Sequence, residues 1–326
     1  MRGVEIRRFG PPEVLEAAML PDATAKQGEV VVKVGASGVN FADVLTRAGR
    51  APGGRSIALP AVLGSEVGGA VVATGPGVDA PKVGSIVVAG TGGLGGYAEL
   101  APVPAAGTVL VPEGLDVEHA VALFVQGRTA LALARRVRIT QGDRVLVLAA
   151  AGGVGSVAVQ LASAQGALVV GVASGERKTQ LVRQLGAEMA VNADDESWPD
   201  IVRAAVGEVD VVLDGVGGNV GRSAFELLAP RGRFAIFGFA SGSVTAAPLD
   251  EVLNRALTVV GFGGGKQLAT PDEATGLASE VLRLAADRTV RPLIGQRFTL
   301  SDAAAAHRAI ERRVTVGKTL LIPEGS

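Results

Sequence analysis

The sequence predicts an α/β protein in which a doubly wound parallel sheet is inserted into a β-rich domain, and three patterns along the chain carry that prediction. Between about His119 and Phe262, strand-like runs at Val145–Leu148, Leu168–Ala173, Met189–Val191, Val209–Leu213, Arg233–Gly238 and Leu257–Gly261 alternate with helical segments. Six such strands joined mostly through helices fit a parallel sheet covered on both faces. From Met1 to about Gly107, short β-type runs such as Val30–Val34 and Gly69–Ala73 are separated by Gly and Pro clusters, the pattern of a compact β-rich domain. After Phe262 come the run Gly263-Gly264-Gly265, a helical stretch Pro271–Asp287, a strand-like run Gly295–Leu300, an Ala-rich helix Ser301–Arg312 and a last strand Lys318–Ile322. This tail reads as a return to the first domain, so the expected division is residues 1–120, 121–262 and 263–326.

Composition narrows the partners. A chain of 326 residues with net charge −1, no basic run and 3% aromatic residues gives little support to a nucleic-acid surface, and a small molecule is the expected partner. Its apolar stretches are broken by Gly, Pro or charge well short of the roughly 18 residues a membrane span needs. Met1-Arg2-Gly3 leads into a strand pattern and not a signal peptide, so a soluble, cytoplasmic protein is expected. With no Cys, and only His119 and His307 to supply imidazole, the chain has no disulfide, no thiolate nucleophile and no Cys-bound zinc; no metal site is expected. Both histidines sit in helical contexts, EHAVAL and AAAAHRAI, where partly exposed structural roles are expected.

The chemistry-bearing motif is Arg144 to Ser156, RVLVLAAAGGVGS, a buried-strand run that passes through a glycine-rich turn into an amphipathic helix. Set on G-x-G-x-x-G, Ala150 replaces the first glycine while Gly152 and Gly155 keep the other two places, with Ala151, Gly153 and Val154 between them. Gly152 lets the backbone approach a pyrophosphate, Gly155 lets the helix pack close to the strand, and the free N–H groups of the helix start face the anion. Val154, Val157 and Leu161 mark one helical face, and Gly166 ends the helix before Leu168-Val169-Val170.

These segments, with Gly38-Val39-Asn40-Phe41-Ala42-Asp43, Leu63-Gly64-Ser65-Glu66-Val67-Gly68-Gly69, Gly95-Gly96-Tyr97-Ala98-Glu99, Gln126-Gly127-Arg128-Thr129-Ala130, Val209–Asp214 and Gly317-Lys318, run in an order and spacing that cover nearly the whole chain. The chain so resembles the zinc-independent quinone oxidoreductase branch, ζ-crystallin-like, of the medium-chain dehydrogenase/reductase superfamily. The resemblance implies a Rossmann-type nucleotide-binding domain inserted into a β-rich GroES-like domain, with the active site in the cleft between them. In zinc alcohol dehydrogenases of that superfamily a His stands where this chain has Ser65 and Cys supplies further ligands. Both are missing here, so the implied hydride acceptor is one that needs no Lewis acid, such as a quinone or an α,β-unsaturated carbonyl.

At the end of the second strand, where an NAD site places an acid, the chain has neutral Ser174 followed by Arg177 and Lys178, which suits the 2′-phosphate of NADPH. Lys178 also matches the family's phosphate-binding lysine. The resemblance places Asn40 near the nicotinamide to hydrogen-bond a carbonyl, and Thr129 to orient the carboxamide. Asp43 either faces the cleft or caps its own turn. Gly238, Phe239 and Phe262 stand at the C-terminal edge of the sheet, Phe262 being equally a core residue. Asn192 falls at the adenine side, and Arg313 and Lys318 either approach the cofactor or are surface charges. Two tyrosines of relatives are missing: Arg50-Ala51 stands in place of a substrate-side phenol, and Ala193 in place of one stacked on adenine. The proton donor is therefore unassigned. The expected activity is NADPH-dependent hydride transfer to a quinone or similar electron-poor carbonyl; enoyl reduction, of an acyl thioester or enone, and a non-catalytic NADPH-binding role are the alternatives. A homodimer paired near Leu257–Gly261 is expected from relatives.

Overall fold

The computed structural model describes residues 1–54, 56–262 and 270–325; Gly263-Gly264-Gly265 lies outside the described residues. The chain divides into two compact units, Met1–Arg128 with Ala269–Arg288 and Pro292–Ser326, and Thr129–Leu268 with Thr289–Arg291. The first switch falls within the helix Gln126–Arg136, so the helix Val117–Phe124 belongs to the first unit.

The second unit is built on β1 (Arg144–Leu148), β2 (Leu168–Ala173), β3 (Met189–Asn192), β4 (Val209–Asp214), β5 (Leu228–Ile236) and β6 (Thr258–Gly261), all parallel in the order β3-β2-β1-β4-β5-β6. The order reverses between β1 and β4, the crevice at which such sheets bind ligands beyond their strand ends. Val145, Leu146, Val147 and Leu148 of β1 are all buried, because a parallel sheet covered by helices has no solvent face and its strands need continuous apolar runs. Leu146, Leu148, Val170, Val172, Val212, Phe225 and Phe234 make the core on one side, with Phe225 and Phe234 edge to face at 5.4 Å. Each such side chain contributes about 1.5–3 kcal/mol by leaving water.

β5 departs from the predicted span at both ends, beginning at Leu228 and ending at Ile236. Pro230-Arg231-Gly232 is an irregularity within the strand: Arg231 takes φ 65°, and the pairing with β4 jumps from Val209–Leu228 to Val211–Arg233. Gly238 and Phe239 therefore lie in the loop beyond the sheet edge.

In the first unit, a seven-stranded sheet runs Ile294–Thr299, Lys318–Ile322, Glu29–Val39, Glu66–Thr74, Ile86–Gly90 and Thr108–Leu110, with Leu100–Pro104 also paired to Glu29–Val39. The tail strand Lys318–Ile322 pairs antiparallel with Glu29–Val39, setting Thr319 against Val39 and Leu321 against Ser37. Val30, Val32, Val34, Val67, Val71, Val87 and Val103 fill one core. A second core gathers Val4, Ile6, Leu63, Tyr97, Leu300, Ala303, Ala306 and Leu321 from both ends of the chain. Among the described residues no helix is long and apolar enough to cross a membrane.

Candidate active site

In the second unit, β1 delivers the chain into the glycine turn. Ala149 adopts φ 49°, Ala150 N donates to Val172 O at 3.0 Å, and Gly152 N donates to Ala149 O at 2.8 Å. The helix Gly153–Ala164 starts there with Gly152 as its extended N-cap. A Cβ on Gly155 would overlap the Ala149 carbonyl oxygen and stand 2.9 Å from Ala150 Cα, so only glycine lets the helix lie this close to the turn. Gly152, with the nearest atom to such a Cβ 3.1 Å away, leaves the backbone open on its outer side. Gly152, Gly153 and Val154 are half-buried, and the first-turn N–H groups have no intrahelical acceptor, an arrangement able to take an anion. Ala151 is buried beneath it.

The neighbouring strand ends complete this edge. Asn192 Oδ1 accepts from Gly175 N at 2.7 Å and Asp194 N at 3.1 Å, tying the loop after β2 to the loop after β3. Ser174 and Arg177 are exposed and Lys178 half-buried, the last two on the first turn of the helix Glu176–Gln184. The Glu176 carboxylate accepts from Gln180 Nε2 at 3.3 Å along that helix. After β4, Asp214 is fully buried and accepts from Val216 N and Gly217 N, both at 2.8 Å, and from the Thr245 hydroxyl at 2.5 Å. Gly238 packs on this loop: a Cβ there would meet Gly215 O at 2.7 Å. Phe239 is half-buried in the same loop, and Phe262 follows β6 with 7% of its surface exposed. Thr129, half-buried, opens the unit on its first helix.

The first unit holds a buried polar cluster around Asn40. The strand Glu29–Val39 ends at Asn40, which N-caps the helix Phe41–Arg47, while the Asp43 carboxylate accepts from Asn40 N at 2.8 Å, the half of a capping box that turns the chain. Asn40 sends Nδ2 to Glu66 Oε1 at 2.7 Å and to Ser65 Oγ at 3.1 Å, and its Oδ1 accepts from Lys318 Nζ at 2.9 Å. Lys318 also bonds Glu66 Oε1 at 2.5 Å, with side chains 1% and 0% exposed, and Glu66 Oε2 accepts from Val125 N at 3.0 Å. The pair fits only because Gly38 has no side chain; a Cβ there would stand 2.6 Å from Lys318 Cε and 2.7 Å from Glu66 Cδ.

The remaining partners of Asp43 are hydroxyls. Its Oδ1 accepts from Ser65 Oγ at 2.9 Å and its Oδ2 lies 3.5 Å from the Tyr97 hydroxyl, which meets His307 Nε2 at 2.9 Å. Burial pushes the Asp43 carboxyl up to about 6 and holds His307 down to about 3, Arg47 reinforcing the latter; burial also raises Tyr97 well above its ordinary value. His307 is fully buried, which corrects the expectation of a partly exposed helix position. It shares with Ala303 and Ala306 the i, i+3, i+4 face that packs inward, and the two small alanines admit that close approach. His119 keeps its side chain 38% exposed, bonded to Asp116. Arg313 is exposed in the first unit.

Sequence reasoning brought Asn40, Asp43 and Lys318 to attention separately, and the fold gathers them. It gave no role to Glu66 or Tyr97 and only a structural one to His307, and the three lie far apart in the chain. Among the described residues no group of three or more His, Cys, Asp or Glu side chains is placed to hold a metal ion. At Glu66 the cationic place is taken by the Lys318 ammonium.

Comparison with known proteins assigns these two halves. Residues 26–113 match the alcohol dehydrogenase GroES-like domain and residues 153–281 the zinc-binding dehydrogenase domain. The chain is 36% identical to a quinone oxidoreductase of Pseudomonas aeruginosa over 98% of this chain and 99% of that protein. It is 32% identical to a 2-haloacrylate reductase of a Burkholderia species over 91% of each. A crystal structure of Escherichia coli quinone oxidoreductase complexed with NADPH superposes with a TM-score of 0.91 at 32% identity, covering 99% of this chain and all of that one. The chain belongs to the quinone oxidoreductase branch of the medium-chain dehydrogenase/reductase superfamily.

Proposed function

We propose that this protein is an NADPH-dependent oxidoreductase that transfers hydride, without zinc, to a quinone or similar electron-poor carbonyl. The observation that carries this reading is the Lys318 ammonium on Glu66 and Asn40: the site supplies a fixed, neutralised ion pair where Lewis-acid chemistry would need a divalent cation and its ligands. An acceptor already electron-poor needs no such cation.

NADPH, when bound, supplies the hydride, and this chain positions it. The turn Ala151–Gly155 with its helix N-terminus would cradle the pyrophosphate, and Ser174, Arg177 and Lys178 would meet the 2′-phosphate with a hydroxyl and two cations. Asn192 shapes that pocket through Gly175. Gly238, Phe239 and Phe262 supply the far lip of the sheet edge. Thr129 and, on the other unit, Asn40 and Arg313 are carried over from the family. Lys318 is assigned instead to holding Asn40 and Glu66.

The likeness to the Burkholderia 2-haloacrylate reductase supports a second reading, reduction of an activated C=C bond. A homodimer is supported by β6, the terminal strand of its sheet, which carries Val259 37% exposed, and by Leu249 and Leu253 on the preceding helix, 82% and 79% exposed.

Stopped-flow oxidation of NADPH with 1,4-benzoquinone, 9,10-phenanthrenequinone and a short enone, with NADH in parallel and a chelator present, tests the reading. Chelator-insensitive turnover selective for NADPH is expected. Tight NADPH binding without turnover on any acceptor would leave a binding protein.

A further inference from the structure

Resting on the reductase reading, we propose that Ser65 is the proton donor to the reduced substrate and that Asp43 is the acid that recharges it. Ser65 is the partly exposed member of an otherwise buried cluster, and its hydroxyl touches both Asp43 Oδ1, at 2.9 Å, and Asn40 Nδ2, at 3.1 Å. A hydroxyl carries one hydrogen and two lone pairs. While Asp43 is ionised, that hydrogen is committed to the carboxylate. Once Asp43 is protonated, the carboxylic O–H donates to Ser65 Oγ, and the Ser65 hydrogen is released to point outward. Asn40 Nδ2 fixes the remaining lone pair, so the hydroxyl has one direction left.

The surroundings decide which group titrates. Around Asp43 stand Ser65 and Glu66 at the start of the strand Glu66–Thr74, Tyr97, and Lys318 on the tail strand, with His307 of the Ala-rich helix beyond Tyr97 and Arg47 acting on both of these. Lys318 is paired with Glu66 and Arg47 with Glu311. Neutral His307 is occupied by Tyr97. Among the described residues no cation is hydrogen-bonded to the Asp43 carboxyl, whose partners are one backbone N–H and two hydroxyls, and Lys318 acts on it only through space. Burial accordingly brings its titration to about 6, in reach of neutral pH.

For an enone the step balances as follows. Hydride from the nicotinamide forms the C–H bond at the β-carbon, two electrons pass to the conjugated system and NADP⁺ is left. The resulting enolate takes H⁺ from Ser65 Oγ, which takes H⁺ from Asp43, and the carboxylate regains its proton from solvent through Ser65. A quinone requires less, because its hydroquinone anion is stable enough to await water.

The test compares wild type, Asp43→Asn, Ser65→Ala and Ser65→Thr on an enone and on 1,4-benzoquinone from pH 5 to 8.5, with carboxyl ¹³C NMR of each cofactor-free protein. Asp43→Asn keeps an acceptor for Asn40 N and so preserves the helix cap. The expected result is an enone rate that falls tenfold per pH unit above about pH 6 in wild type. Asp43→Asn and Ser65→Ala should lower that rate at pH 6 by roughly 10²-fold and flatten the profile, with Ser65→Thr restoring it. The quinone rate should fall by less than the enone rate, because its anion can take a proton from water. A carboxyl signal that vanishes in Asp43→Asn should titrate near 6 in wild type and shift in Ser65→Ala. Turnover of the enone with the same pH profile in Asp43→Asn as in wild type, or an unchanged rate in Ser65→Ala, overturns the relay alone. Failure of wild type to oxidise NADPH with either acceptor overturns the reductase reading and the relay with it.

Discussion

Replacing Lys318 by Met removes a buried ammonium while keeping most of its volume, and the surrounding geometry sets what that costs. Lys318 makes two charge-assisted bonds, to Glu66 Oε1 and Asn40 Oδ1, and both ends of the ion pair are sealed from solvent. Without it Glu66 keeps only neutral donors, Asn40 Nδ2 and Val125 N. Breaking one side of a buried pair costs about 3–5 kcal/mol, because the remaining charge has lost its counter-ion without regaining water. The double variant Lys318→Met/Glu66→Gln should recover at least half of that loss. Trp198 lies in the other unit, so the readout is native-state hydrogen exchange of peptides from Glu29–Val39, the strand against which Lys318–Ile322 pairs. A loss of 4 kcal/mol corresponds to about 10³-fold faster exchange where exchange follows unfolding of the unit. NADPH affinity is measured alongside. A loss below about 1 kcal/mol, the range of exposed pairs, refutes the buried-pair reasoning. Weaker NADPH binding with unchanged exchange would return Lys318 to the cofactor side.

Five further outcomes follow from the same geometry. Gly155→Ala places a Cβ against the Ala149 carbonyl and should cost about 1–3 kcal/mol in thermal unfolding and weaken NADPH binding by fluorescence titration, since the helix must retreat from the turn. Arg177→Ala should raise the Kd for NADPH by roughly 10-fold or more and leave NADH unchanged, the value of one charge-assisted bond to a 2′-phosphate; equal effects on both cofactors would reject it. His307, held to about 3 against an ordinary 6.5, takes up its proton first in the unfolded chain, so stability is full above pH 6.5 and falls as pH drops towards 3, by about 1.4 kcal/mol per unit. His307→Gln should flatten that limb. Asp43 acts with the opposite sign: raised to about 6 from 3.8, its contribution is present below 3.8 and lost as pH rises through 6, so Asp43→Asn should gain on the order of 2–3 kcal/mol at pH 8. Leu253→Asp on the exposed helix face should convert a dimer to a monomer on light scattering, and a monomeric wild type would refute the pairing.

The nucleotide half was legible from the chain because its determinants are local. A parallel strand covered on both faces must be apolar at every position, and Val145–Leu148 shows it; a helix that packs hard on a turn must begin with glycine, and Gly155 shows it. β5 starts five residues before the expected run Arg233–Gly238, because the chain bulges at Pro230-Arg231-Gly232 and keeps its pairing.

The catalytic half was read only in pieces. Glu66 and Lys318 are separated by some 250 residues and meet because the tail strand pairs beside Glu29–Val39, over the space Gly38 leaves empty. A lysine near a terminus reads by default as surface charge. Asp43 could be placed on its helix by the N-cap spacing, but not credited with its environment: that Ser65 and Tyr97 are its partners, and that Lys318 and Arg47 are paired with other carboxylates, are facts of packing. Local pattern determines strand, turn and helix because those depend on neighbours three or four residues away. Protonation states and partners of buried charges depend on which distant segments exclude water from them, and only the tertiary structure decides that.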